Sequence, residues 1–420
     1  MKVTAEEAIK AINPGASAVM PPGCGETQTL IEALVNDGDR LQGTKLYSGL
    51  LLTDYKFIRP EYQGKFKYTT WHVMRPVRDL VAKGTVGFLP VRGSQVPGIL
   101  EKIGIDAAFI HVSPPDSNGY CSLGVSVSYP FLMARKAKLV IAEINEQMPR
   151  ALGDCFIHIT EIDYAVEVNR PLVTYQATKV DQVSQKIGSL VTELIPDGAV
   201  VQIGIGAIPE AILSLLKDSG KRISVYGMGI DALVDLAGAG ALKPFPGKSA
   251  CSVISTELMG TEKLFQFTHN NPVIEMYPAN YTINPVTMSK LENFISINSA
   301  LQVDFWGQAN AEVIGEMQIS GVGGGFDFVD GALFAPGGKT ILAIPATTGK
   351  DKRSTIVPRL PQTVPATTPR HSVQYVVTEY GITDLSAKSL NERAESLIAI
   401  AAPESRDQLW EDYVALRKEV

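Results

Sequence analysis

AINPGASAVMPPGCGETQTLIEAL (11–34) and ELIPDGAVVQIGIGAIPEAILSLL (193–216) are two copies of one pattern. Each reads as a helix end, a proline, Gly-Ala, an apolar strand, a glycine turn and an amphipathic helix. Gly15 aligns with Gly198, and Gly23 then aligns with Gly206. A repeat this widely spaced means two copies of one α/β domain, because solenoid repeats recur every ~20–50 residues.

The rest of the chain continues the alternation. KLVIAEI, KRISVY and KTILAIP are short apolar runs, and helical patterns such as DALVDLAGAG lie between them. Strands that are apolar on both faces belong in parallel sheets covered by helices. The expected fold is therefore α/β, with two similar open α/β domains at 1–180 and 181–420. The boundary falls in the polar stretch AVEVNRPLVTYQATKVDQ (165–182), which carries Pro171. The stretch DKRSTIVPRLPQTVPATTPR (351–370) has four prolines and no period. It reads as a long surface loop, a feature that is often functional.

Composition narrows the function. The chain has 420 residues, 45% apolar and 20% charged, which is enough for ordinary cores. Lys plus Arg is 38 against 44 for Asp plus Glu, a net charge of -6. Nucleic-acid binding by a general basic surface is excluded on that balance. Cys24, Cys121, Cys155 and Cys251 are too few to staple a chain this long, so a reduced, cytoplasmic setting is expected. MKVTAEEAIKAI lacks the apolar run of a signal peptide. The most apolar stretch, 199–216, is broken by Gln202, Pro209 and Glu210, so no membrane span or membrane partner is expected.

Four glycine clusters follow expected strands: GCGET (23–27), GIGAIP (204–209), GMGIDA (227–232) and SGVGGGFD (320–327). Glycine lets a ligand approach the backbone, and a helix start offers free N–H donors for phosphate, carboxylate or an oxyanion. Any one cluster is as readily a plain turn. GMGIDA fits the dinucleotide fingerprint, but the confirming acid about 20 residues on is missing. Position 248 is Lys, and the first Glu is Glu257. The serine-hydrolase elbow and the Walker A loop are absent. His72, His111, His158, His269 and His371 are scattered without a metal-binding spacing, so no metal is expected. His158 reads as a hydrogen-bonded core histidine, and Cys121 and Cys251 as small core residues. Cys24, in a glycine turn at a helix start, is the one thiol whose pKa such a setting could lower, although a structural role is the simpler reading.

These stretches and their neighbours resemble the acetyl-CoA hydrolase/transferase branch of the class I CoA-transferases, close to the 4-hydroxybutyrate and butyryl-CoA:acetate CoA-transferases. The matching runs are SPPDSNGYCSLGVS (113–126), VIAEINEQMPRALGD (140–154), QIGIGAIPEAIL (202–213), ELMGTEKLFQFTHNNP (257–272), INSALQVDFWGQAN (297–310), SGVGGGFDFVDGA (320–332) and QYVVTEYGITDL (374–385). The resemblance implies two similar domains with the active site in the cleft between them. It implies CoA, as acyl-CoA substrate, bound by the C-terminal domain, and a homodimer or larger assembly. It also implies covalent catalysis, in which a glutamate takes the acyl group as an anhydride, then CoA as a thioester, and passes CoA to a second acid.

Residue by residue, Gly323, Gly324 and Gly325 match the family's loop at the thioester and are the candidate oxyanion donors and pantetheine contacts. Gln308 and Asn310 match its polar pair. Gly204, Gly206 and Ile208 match the loop lining the acyl pocket. Glu26 sits in GETQ, where the family usually has GEPQ, so Thr27 departs from the pattern. Lys350 and Arg353 could meet CoA phosphates, or be ordinary solvated charge.

The match fails at KRISVYGMGIDALVDL (221–236). Counting back from Asp231 puts Gly227 at the position of the family's catalytic glutamate, with Met228 next. Residues 223–230 contain no carboxylate under any one-residue slip. Three readings follow. A divergent enzyme performs acyl transfer or thioester cleavage without a glutamyl-CoA intermediate, its acceptor unidentified. A conventional transferase uses another carboxylate, with Glu26, Asp231 and Glu257 as candidates. Or the protein binds acyl-CoA without turnover. Glu257 is unusual in itself, because the family's residue there is usually apolar.

Overall fold

Gly15 and Gly198 take the same left-handed conformation, with φ of 75° and 77°. Each ends the approach to a short buried strand, Ser17–Val19 and Val200–Gln202. Each strand is followed by a helix, Gln28–Asn36 and Ala207–Asp218. The second helix buries Ile208, Ala211, Ile212, Leu213 and Leu216, one stripe at helical spacing. The repeat seen in the sequence is thus a repeat of structure. The computed structural model describes residues 1–54 and 56–417.

The chain groups into two compact units. The first is Met1–Gln176 with Val225–Val234 and Pro244–Ile283, and the second is Ala177–Ser224 with Asp235–Lys243 and Asn284–Val420. The 1–180 and 181–420 division stands as a proposal about folding domains, which limited proteolysis would test.

In the first unit a seven-stranded sheet runs in the order Tyr164–Val168, Leu139–Asn145, Ala107–Val112, Ser17–Val19, Thr44–Ser48, Phe66–Thr70 and Gly87–Phe88. All six pairings are parallel. Ala107–Val112 is buried along its whole length, as a strand covered on both faces must be. A second parallel run in this unit joins Ser224–Ile230, Val253–Met259, Ile274–Met276 and Leu152–Gly153. In the second unit Val200–Gln202, Phe294–Asn298, Lys339–Ala343 and Tyr375–Thr378 are parallel neighbours, and Gly381–Asp384 closes the edge antiparallel. The fold is α/β with two open, largely parallel units.

Two expectations need correction. GMGIDA is not a strand-to-helix turn: the strand continues through it as Ser224–Ile230, and the helix begins at Ala232. Gly227, at φ 103°, marks a register shift, with Gly227 opposite Ser255 but Met228 opposite Glu257. A bulge that needs a left-handed residue explains the glycine without any ligand. The proline-rich stretch is not wholly irregular either. It holds the short strands Arg353–Ser354 and Ile356–Val357, and Thr368 bridges to Ala309.

Gly227→Ala is expected to cost about 1–3 kcal/mol, the usual strain of a side chain at such a φ. Gly98→Ala is the control. It lies in the helix Val96–Ile103 with open space at its Cβ, and it is expected to gain about 0.5–1 kcal/mol. Urea denaturation reads both changes.

Candidate active site

The first glycine cluster forms a short 3-10 turn, Gly23–Gly25, with every residue buried. Its glycines are required by close packing. A Cβ on Gly25 would stand 2.3 Å from the Cβ of Ser126, and one on Gly23 would stand 2.8 Å from the sulfur of Met259. The backbone therefore lies directly against the segments 125–128 and 253–260. Cys24 is fully buried, with Sγ 3.9 Å from the Gly260 carbonyl. Burial pushes its thiol up to about 12, assisted by the charges of Glu257 and Glu26. The helix-start effect that would lower it is overcome, and the structural reading of Cys24 is the one that fits.

Glu26 follows the turn and is 1% exposed. Its carboxylate accepts hydrogen bonds from the Leu52 and Thr53 amides and from the Thr53 hydroxyl, so both oxygens are taken. Burial raises its pKa, while Thr53 and Leu52 pull it back. The carboxylate thus pins residues 50–53 to the turn. Thr53→Val, which removes the hydroxyl donor, is expected to cost about 1–3 kcal/mol and to loosen this loop. Hydrogen exchange at 50–54 checks it.

Glu257 lies on the strand Val253–Met259, whose seven residues are all buried. The segment 125–128 runs antiparallel to it: Leu258 N donates to Val125 O at 2.8 Å, and Val127 N donates to Thr256 O at 3.0 Å. Ser126 bridges to Glu257, and the Ser128 hydroxyl donates to Glu257 Oε1. The other oxygen, Oε2, is buried without a well-formed hydrogen bond, and the Ser126 hydroxyl faces the same carboxyl. Burial pushes the Glu257 carboxyl up to about 8, against the opposing pull of Ser128 and Ser126. Ser126 and Ser128 were not singled out in the sequence. The alternation SLGVSVSY (122–129), with Ser122, Gly124, Ser126 and Ser128 at every second position, is the pattern that would have shown the serines on one face.

Asp231, the third candidate carboxylate, accepts from Thr261 N at 2.9 Å and from Thr261 Oγ1 at 2.8 Å. Both oxygens therefore hold the start of the helix Glu262–Thr268.

The remaining candidates belong to the second unit. Gly204 and Gly206 precede the helix Ala207–Asp218, with Gly206 at φ 126° and Ile208 buried inside the helix. Gly323, at φ 59°, and Gly324 lead into the helix Gly325–Phe334. Gln308 and Asn310 serve their own loop. Gln308 Nε2 donates to Asp304 at 2.6 Å. Asn310 is fully buried, donates to Val313 O at 2.7 Å and accepts from the Glu312 and Val313 amides at 3.0 Å. Lys350 and Arg353 are exposed beside the hairpin of Thr347–Thr348 and Arg353–Ser354, with Arg353 Nε 3.1 Å from Asp351. His158 is half-buried and hydrogen-bonded to Thr160 and Asn118. Among the described residues, no group of three His, Cys, Asp or Glu side chains is placed to hold a metal, and no helix is long and apolar enough to cross a membrane.

Comparison with known proteins places this geometry in a family. Residues 1–175 match the acetyl-CoA hydrolase/transferase N-terminal domain, and residues 260–413 match the C-terminal domain. The 4-hydroxybutyrate coenzyme A transferase of Clostridium kluyveri is 42% identical over 98% of this chain and 96% of its own length. The butyryl-CoA:acetate CoA-transferase of Anaerostipes caccae is 34% identical over 97% and 95%. Among solved structures, RipA from Yersinia pestis superposes with a TM-score of 0.92 at 32% identity, covering 99% of this chain and 97% of that one. With both domain types in order and relatives matched along nearly their whole length, the chain is a member of the acetyl-CoA hydrolase/transferase family and an enzyme that acts on acyl-CoA as a transferase or hydrolase.

Proposed function

We propose that this enzyme exchanges CoA between an acyl-CoA and a carboxylic acid, using a side-chain carboxylate of its first unit as the carrier. The observation that carries this reading is the pair Glu26 and Glu257, both buried, both with raised pKa and both acting on the Cys24 thiol. A carboxylate removed from water attacks a thioester itself, whereas a hydrolase must admit water to the same carbon. The oxyanion role of Gly323–Gly325 and the acyl-lining roles of Gly204, Gly206, Ile208 and Met228 stay with the proposal as what the family resemblance implies for each. A cytoplasmic homo-oligomer remains part of the proposal.

A second reading is favoured by one feature. No carboxylate lies in 223–230, and the backbone at Gly227 is one that L side chains rarely adopt. Direct attack on the thioester by water or another acceptor, without a glutamyl-CoA intermediate, would fit that gap. A panel of acyl-CoAs, with and without acetate, separates the two when free thiol and product acyl-CoAs are followed together. Acetate-dependent acetyl-CoA without free thiol supports exchange. Thiol release that ignores acetate supports hydrolysis and sinks the exchange reading.

A further inference from the structure

We infer that Glu257 is the nucleophile of this enzyme, brought from the neighbouring strand to within one residue of the row where the family's glutamate is missing. The inference rests on the exchange reading above. It starts from the register: Met228, within one residue of the vacant position, lies directly opposite Glu257 on the adjacent parallel strand. Neighbouring strands are about 4.8 Å apart, less than the length of a glutamate side chain in its extended form. A carboxylate at 257 therefore stands beside Met228, one residue along from the vacant position, with Ser255 opposite Gly227 itself. The bulge makes this possible. By skipping Thr256, it aligns Glu257 rather than Thr256 with Met228.

The three carboxylates of the unit are not equivalent. Asp231 has both oxygens held by Thr261, and Glu26 has both held by residues 52–53. Either would have to break a structural contact to attack. Glu257 alone of the three keeps one oxygen without a well-formed hydrogen bond, while Ser128 fixes the other. The Ser126 hydroxyl faces the same carboxyl and favours its charged form. A buried carboxylate oxygen without a well-formed hydrogen bond is costly unless something polar meets it during the reaction.

The chemistry balances without any redox partner. Glu257 Oε2 attacks the thioester carbonyl, the C–S bond breaks, and CoA leaves as thiolate, giving an acyl-glutamyl anhydride. The thiolate then attacks the glutamyl carbonyl and releases the first acid as carboxylate, giving a glutamyl-CoA thioester. The second acid repeats these two steps in reverse and regenerates the Glu257 carboxylate. Ser128, whose hydroxyl donates to Oε1, is a positioning residue.

The test uses the full-length protein with butyryl-CoA, with and without acetate. Wild type is expected to exchange CoA with acetate and, without acetate, to gain the mass of covalent CoA. Glu257→Gln is expected to lose exchange by at least about 10³-fold and to gain no CoA mass. Glu257→Asp, which keeps the charge but is one methylene shorter, is expected to fold and to lose exchange by about 10²-fold. Thermal melts confirm that both variants are folded. If the Gln variant exchanges within about tenfold of wild type, or still gains CoA, another residue is the carrier and this inference fails while the exchange reading stands. If wild type only releases thiol, the exchange reading fails and takes the inference with it.

Discussion

Glu257→Gln is expected to be inactive yet, at alkaline pH, more stable than wild type. The folded protein holds the Glu257 proton up to about pH 8, because burial opposes the charge. The unfolded chain releases that proton near pH 4.5, the ordinary carboxyl value. Between those values the native state binds more protons than the unfolded state, so stability falls as pH rises. The stabilisation is complete below about 4.5 and lost by about 8. Glutamine does not ionise and escapes this loss. Its amide oxygen can still accept from Ser128, but its NH₂ would be buried without a partner, a cost of about 1–3 kcal/mol at every pH. The pH dependence therefore isolates the carboxyl. The advantage of the variant over wild type should grow by roughly 2–4 kcal/mol between pH 5 and pH 8. Parallel urea titrations at the two pH values measure it, and a constant difference would show that Glu257 is ionised in the folded protein throughout. Glu26 and Glu143, also buried carboxyls with raised pKa, add slopes of the same sign to both proteins and cancel in the comparison.

Exchange activity should follow the opposite trend. Only the ionised carboxylate attacks, so the rate should rise about tenfold per pH unit from 6 to 7 and level off above about 8. Ser128→Ala removes a hydrogen bond that favours the charged form and should move the midpoint upward. A purely structural role for Ser128 would lower the plateau without moving the midpoint. A flat wild-type profile between pH 6 and 8 would exclude a nucleophile with this pKa. Activity and stability thus pull apart at one residue, as they commonly do where a charge is buried for chemistry.

The architecture was legible because both repeats obey strong local rules. Gly15 and Gly198 are left-handed, the strands after them are buried throughout, and the following helices carry a single apolar stripe. The family was legible from long motifs with their order kept. The site was less so, for identifiable reasons. GMGIDA has the spelling of a turn but the structure of a bulged strand, since the same glycine that opens a turn also absorbs a register shift. Pairing between Ser224–Ile230 and Val253–Met259 is a relation between distant segments that no local pattern encodes. Glu257 could therefore be noted as odd, but its place beside Met228 could not be read. Gln308 and Asn310 fit a polar pair by spacing, yet Asp304, Glu312 and Val313 engage their hydrogen-bonding groups within the loop. The prolines of 351–370 masked two short strands for the reason that proline usually argues against pairing.

The most direct test locates the covalent carrier. Wild-type protein is incubated with butyryl-CoA without acceptor, reduced with borohydride to convert a glutamyl thioester to the alcohol, digested and mapped by tandem mass spectrometry. The reduced residue is expected at position 257, in the peptide containing STELMGT (255–261). Reduction at Glu26 or Asp231 instead, or a fully active protein with no reduced residue, would contradict the account.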